Sequence, residues 1–153
     1  MIVKSLVQLK KITDRLKKQG KKIVFTNGCF DILHSGHIKL LKKAKSLGDF
    51  LIVAINSDKS VKRIKGKKRP IVGEKNRSEI VDSIKFVDFV YIFNEDTPEK
   101  TIKAIRPEIL VKGSDWEPNK IVGREFVKKV VRVPLLKGFS TTDLIKKILE
   151  INE

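Results

Sequence analysis

Residues 21–47 read KKIVFTNGCFDILHSGHIKLLKKAKSL. Ile23, Val24 and Phe25 form an apolar run without alternation, the pattern of a strand buried on both faces. Asn27 and Gly28 end that strand. Residues 31–35 make the turn, and a helix is expected from about Gly36 to Ser46, stopped by Gly48. Both histidines of the 153-residue chain stand at this strand-to-helix junction, three apart, with Gly36 between them.

Outward from this unit the same alternation recurs. Upstream, Leu6, Leu9, Ile12 and Leu16 are spaced by three or four, which predicts an amphipathic helix over about 5–19, ended by Gly20. Downstream, residues 50–56 (FLIVAIN) read as an almost wholly apolar strand, 74–85 as a helix, and 87–93 (VDFVYIF) as a strand. Residues 98–105 follow as a helix capped by Asp96 or Thr97. Residues 108–113 (EILVKG) are a strand, about 119–129 a helix, 130–134 a strand and 141–151 the last helix. Apolar strands alternating with helices predict a doubly wound α/β fold: a five-stranded parallel sheet with helices on both faces, in a single domain over 1–153. Such sheets bind ligands beyond the carboxyl ends of their strands. That rule singles out residues 26–37, 56–70, 93–97, 112–118 and 135–142.

Composition sets outer bounds. An apolar share of 41% with 34% charged residues describes a folded, water-compatible domain. No apolar run approaches the roughly 20 residues that a membrane-spanning helix needs. The N-terminal stretch lacks the continuous apolar core and small-residue cleavage site of a signal peptide. The single cysteine, Cys29, excludes an internal disulfide and is compatible with a reducing cytoplasm. The net charge of +16 predicts attraction to anions, either through a functional phosphate or nucleic-acid site or as lysine-rich surface decoration of the thermophile kind.

The junction itself carries chemistry. A helix N-terminus presents unsatisfied N–H groups and the positive end of its dipole, which favour an anion. His34 and His37 add donors to that space, and Gly36, lacking Cβ, allows close approach to the backbone. The arrangement suits nucleotidyl transfer, in which a phosphate oxygen of one substrate attacks the α-phosphate of a nucleoside triphosphate. The attacking group is already an anion, so catalysis reduces to positioning and charge stabilisation. The alternatives are a structural histidine pair, a zinc site using Asp31 or Cys29 as further ligands, and Cys29 as a nucleophile. The zinc reading lacks a second ligand cluster. The nucleophile reading lacks a histidine partner outside the motif.

Taken together, TNGCFDILHSGH (26–37), EDTPEKTI (95–102), PEILVKGSDW (107–116), IVGREFV (121–127) and STTDLIKKI (140–148) resemble the HxGH nucleotidyltransferase superfamily. Within it they resemble the adenylyltransferase domains of ADP-heptose synthases. The resemblance covers nearly the whole chain. It implies transfer of AMP from ATP to D-glycero-β-D-manno-heptose 1-phosphate with release of pyrophosphate. It also implies Mg²⁺ accompanying ATP, a homodimer, a place in lipopolysaccharide or surface-glycan synthesis, and a stand-alone transferase fed by a separately encoded heptose kinase.

The resemblance also implies site residues. His34 and His37 would contact the triphosphate, with Asn27, Gly28, Phe30, Asp31 and Gly36 in the nucleotide loop and Asp31 orienting that loop. Lys62, Arg63 and Lys65, in the basic run KRIKGKKRP (62–70), would close over the phosphates, and Arg77 would face the substrates. Gly113, Asp115 and Trp116 would form the base pocket, and Ser140, Thr141 and Thr142 would hold the triphosphate. Three departures stand out. Leu135 replaces the arginine that related cytidylyltransferases carry in the last motif, which disfavours CTP. GSDW is nearer to the cytidylyltransferase pattern than to the heptose one. Lys75 and Asn76 replace the Glu-Gln that often precedes the family arginine.

Three rivals remain. A cytidylyltransferase acting on glycerol 3-phosphate, or an adenylyltransferase acting on a flavin, keeps the chemistry and changes the substrates. A basic nucleic-acid-binding protein fits the charge but finds few aromatic residues to stack bases. A class I aminoacyl-tRNA synthetase fragment shares the histidine signature and finds no second domain to grip a tRNA.

Overall fold

The computed structural model describes residues 1–134 and 140–151. In chain order the elements are β1 (Ile2–Val3), α1 (Leu6–Lys18), β2 (Ile23–Gly28), α2 (Ser35–Lys45), β3 (Phe50–Asn56), α3 (Asp58–Lys65), α4 (Glu74–Asp82), β4 (Phe89–Phe93), α5 (Glu99–Ile105), β5 (Ile109–Gly113), β6 (Lys129–Val133) and α6 (Thr141–Ile151). The strands form one sheet in the order β1-β4-β3-β2-β5-β6, with every pair parallel.

The doubly wound expectation holds, with six strands in place of five. The sixth is β1, whose Ile2 and Val3 pair with Val90 and Tyr91 at the edge of the sheet. Two residues are too short to show a period, so the sequence hides this strand. The side chains of the central strands divide by parity between two cores. Ile23, Phe25, Ile52, Ala54 and Leu110 pack with Leu9 and Leu16 of α1 and Ile102 and Ile105 of α5. Val24, Leu51, Val53, Ile55 and Val111 pack with Leu41 and Ala44 of α2 and Val81 of α4. Two covered faces explain why these strands read as continuous apolar runs.

Two local expectations fail. Residues 119–129 do not form a helix: they make two short 3₁₀ turns, Pro118–Lys120 and Arg124–Phe126. Gly123 lies between them at φ 87, outside helical space, and a Cβ there would stand 2.6 Å from Ile102 Cδ1. The helix expected over 98–105 is capped by neither Asp96 nor Thr97. Pro98 is its N-cap, without a side-chain cap bond.

Candidate active site

β2 and α2 meet as the sequence suggests, and capping explains the geometry. His34 is the N-cap of α2. Its Nδ1 accepts from Gly36 N at 3.2 Å, and its own N–H donates to His37 Nδ1 at 3.3 Å. With both Nδ1 atoms acting as acceptors, the proton of each neutral ring sits on Nε2, leaving Nε2–H as the donor. The rings lie 3.9 Å apart, tilted by 34°. Burial lowers the pKa of His34. Burial, followed by the neighbouring His34, lowers that of His37 to about 4. Both rings are therefore neutral near pH 7 and do not repel each other. Phe30 backs His37 at 5.2 Å between centroids and holds φ at 48, an unusual backbone for an aromatic residue. Gly28 makes room for it: a Cβ there would lie 3.1 Å from Phe30 Cε2.

Asp31 is 3% exposed and faces the loop after α3. Its carboxylate accepts from Arg69 Nε at 2.6 Å and from the backbone N–H groups of Ile71 and Val72 at 2.8 Å each. Burial pushes the carboxyl pKa up. The bonds from Val72, Ile71 and Arg69 outweigh it, so the group lies below its ordinary value.

The basic run 62–70 begins on a helix, since Lys62, Arg63 and Lys65 belong to α3. Lys65 and Arg69 line the cavity described below; Lys62 and Arg63 are not among its lining residues. Arg63 donates to Asp96 Oδ1 at 2.6 Å and to the carbonyl of Asn94, fastening α3 to the end of β4. Arg77 does not face the substrate space in this structure. It is 1% exposed. Its guanidinium donates to the carbonyls of Val72 (2.8 Å), Cys29 and Asn56 (2.8 Å) and to Asp58 Oδ1 (2.7 Å).

β5 supplies a residue that the sequence reading passed over. Lys112 is 6% exposed. Its Nζ donates to Asn27 Oδ1 and lies 5.0 Å from the centroid of the Trp116 ring. Burial lowers its pKa to about 8. Gly113 closes β5 beneath the turn, where Trp116 N donates to the Gly113 carbonyl at 3.2 Å. At α6, Ser140 Oγ accepts from Asp143 N at 3.0 Å and donates to Asp143 Oδ2 at 2.7 Å, acting as a cap. Thr141 Oγ1 donates to Ile32 O, tying α6 to the histidine loop. Leu135 lies outside the described residues.

A cavity of about 580 Å³ opens over the carboxyl ends of β2, β3 and β5. It brings together Asn27, Gly28, Phe30, His34, Gly36, His37, Lys65, Asp115, Trp116, Ser140, Thr141 and Thr142 among the expected residues. It also adds Asn56, Arg69, Thr97, Lys112 and Val122. Asp31, Lys62, Arg77 and Gly113 stand outside its lining. A lysine second from the end of an otherwise apolar central strand was the signal that Lys112 offered. The arrangement can hold a polyanion, with neutral imidazole donors at one end, an ammonium at the floor and cations at the rim. Among the described residues no three His, Cys, Asp or Glu side chains converge to hold a metal ion, and no helix is long and apolar enough to cross a membrane. A smaller basic depression of about 290 Å³, lined by Arg124, Lys128, Lys129 and Arg132, shares no lining residue with this cavity.

Among curated proteins the chain is 52% identical over 143 residues to the bifunctional protein HldE of Helicobacter pylori, covering 94% of this chain and 31% of that protein. It is 51% identical over 138 residues to HldE of Pelobacter propionicus, covering 88% and 28%. The chain thus spans less than a third of the length of these curated relatives. Among solved structures it is similar to the lipopolysaccharide core biosynthesis protein of Thermoplasma volcanium, with a TM-score of 0.66, 35% identity, and coverage of 77% of this chain and 100% of that one. A pantoate-beta-alanine ligase of Francisella tularensis (TM-score 0.67, 21% identity, covering 100% of this chain and 79% of that one) shares the fold. Residues 25–147 match the cytidylyltransferase-like family model, and the chain belongs to that family.

Proposed function

We propose that this chain is an adenylyltransferase that joins AMP from ATP to D-glycero-β-D-manno-heptose 1-phosphate, forming ADP-heptose and releasing pyrophosphate. The observation that carries the reading is the paired neutral imidazoles of His34 and His37 at the start of α2, in one cavity with Lys65, Arg69 and the start of α6. The strong similarity to HldE proteins and to a lipopolysaccharide core biosynthesis protein supports the heptose as acceptor.

In this reading an oxygen of the heptose phosphate attacks the α-phosphorus of ATP. The bond from that phosphorus to the bridging oxygen breaks, and pyrophosphate leaves. His34 and His37 donate through Nε2–H to phosphate oxygens as charge shifts toward the leaving group. Lys65 and Arg69 neutralise the rim, and Asn27, Gly28, Phe30 and Gly36 shape the nucleotide loop. Asp115 and Trp116 hold the base, with Thr142 and the first N–H groups of α6 on the triphosphate. Asp31 and Arg77 act through the loops they hold. Mg²⁺ accompanying ATP would supply charge neutralisation, and with no protein carboxylate cluster among the described residues it would be held by phosphate oxygens and water. A sugar kinase supplies the heptose phosphate, and residues 1–153 work as one domain within a homodimer.

The test is pyrophosphate release from ATP and from CTP, with Mg²⁺, with and without the heptose phosphate. Release that requires ATP and the heptose phosphate is the expected result. CTP is included because GSDW resembles the cytidylyltransferase pattern; release with CTP alone moves the protein to that branch. Alanine at His34 or His37 is expected to lower turnover by roughly 10²–10³ while the fold survives. Near-normal turnover in both variants would sink the assignment.

A further inference from the structure

Lys112 is a buried cation with no carboxylate in contact: Asp115, on the same cavity, attracts it from beyond ion-pair distance, and burial still lowers its pKa. Among the described residues no carboxylate lies within ion-pair distance of its Nζ. Its neighbours are the neutral Oδ1 of Asn27 and the face of Trp116. An ammonium has three N–H donors. One donates to Asn27 and the ring takes part of the remaining field, yet the group still lines the open cavity. A burial of this kind is unfavourable unless an anion completes it.

Its place in the sheet says which anion. The pairing of β2 with β5 runs from Val24 with Ile109 to Thr26 with Val111, so Asn27 and Lys112 follow in register. By strand alternation both belong to the sheet face that carries Phe25 and Leu110, the face of α1 and α5. The histidine helix α2 packs on the opposite face. In-line displacement at phosphorus sets the attacking and leaving oxygens on opposite sides of the centre. With the histidines and helix N-termini on the triphosphate, the far side of the centre is the Lys112 side.

We propose that Lys112, held by Asn27 Oδ1 beneath Trp116, is the floor of the acceptor site and pairs with the phosphate of the sugar phosphate. It thus binds the acceptor's phosphate from one face of the Trp116 ring, which leaves the other face for the base in the reading above. This rests on the adenylyltransferase reading for the identity of the acceptor but not for the presence of a phosphate site. Binding draws the ammonium away from the indole, so the protein's sole tryptophan reports it.

The experiment titrates inorganic phosphate, heptose 1-phosphate and Mg-ATP separately into the full chain, reading Trp116 fluorescence and calorimetric heat. It compares wild type with Lys112→Met and Lys112→Arg. Methionine suits the apolar strand and removes the ammonium together with its bond to Asn27, and circular dichroism confirms folding. The expected result is a loss of about 10- to 100-fold in affinity for both phosphate probes in Lys112→Met, with Mg-ATP affinity within about threefold and partial recovery in Lys112→Arg. A loss confined to Mg-ATP would reassign the amine to the nucleotide and overturn the proposal. Unchanged affinity for all three would make Lys112 structural and overturn it equally. If wild type binds phosphate in a Lys112-dependent way but ignores the heptose phosphate, the phosphate floor stands and the heptose reading falls.

Discussion

Substituting Asp31 by Asn keeps the shape of the side chain and removes its charge. In the wild type one carboxylate, 1% exposed in its side chain, receives Arg69 and two backbone N–H groups. The amide offers one acceptor oxygen and turns an NH₂ donor toward other donors. Breaking a buried ion pair costs roughly 3–5 kcal/mol. Arg69 is 17% exposed and regains water on release, so the low end, about 3 kcal/mol, is expected. For a chain of this size that lowers Tm by roughly 6–12 °C. Because the released loop carries Arg69 into the cavity, kcat/KM is expected to fall by about 10- to 100-fold as well. The pH dependence carries a sign. The folded carboxyl lies below its ordinary value, so its contribution is complete above the unfolded pKa of about 3.9 and is lost as pH falls through the folded value. The gap between wild type and variant is therefore full at neutral pH and closes in acid. Urea unfolding from neutral pH down to the acid limit, beside steady-state pyrophosphate release, reads both effects. A stability loss below about 1 kcal/mol with unchanged kcat/KM would refute the clamp, since it is smaller than one charge-assisted bond.

Three further outcomes are expected. His37 has its folded pKa lowered from 6.5 to about 4, so the unfolded chain takes up the proton first and stability falls as pH drops across that window. In His37→Gln the slope of stability against pH between 4 and 6.5 should flatten, and an unchanged slope would show that the ring titrates normally. In Gly48→Ala the new Cβ would stand 2.7 Å from Val24 Cγ2 and 2.8 Å from the Lys22 carbonyl. A loss of roughly 1–3 kcal/mol is expected in chemical denaturation, with activity per folded molecule intact. Trp116→Ala removes a ring that is 46% exposed, so stability should move by less than about 0.5 kcal/mol. Its nucleotide KM should rise by roughly 5- to 100-fold if the ring stacks on the base, and unchanged nucleotide kinetics would exclude stacking.

Periodicity carried most of the architecture. The apolar runs 23–25 and 50–56 announce strands buried on both faces, and the three-four spacing from Leu6 to Leu16 announces α1. The failures have identifiable causes. In 62–70 the charge masked a helical turn whose apolar positions are only Val61 and Ile64. From the sequence a helix is expected over 119–129, but Gly123 adopts φ 87 and packs against Ile102, a contact made only by the tertiary fold. The histidine pair was legible because its capping partners are neighbours in sequence. Arg77 was not: its partners at 29, 56, 58 and 72 come from four separate segments. The same holds for Lys112, whose partner Asn27 is 85 residues away.

Arg77 has a consequence for anyone who would redesign this scaffold. One guanidinium fastens the end of β2 at Cys29, the end of β3 at Asn56, the start of α3 at Asp58 and the loop at Val72. These four segments therefore cannot be exchanged one at a time as modular cassettes. A graft that shifts any one carbonyl leaves a buried charge short of an acceptor and strains the other three. Recoding of substrate preference is better sought in cavity positions that this arginine does not touch, such as Thr97 and Val122. Where the segments must change, they are best transplanted as a set, with the arginine included.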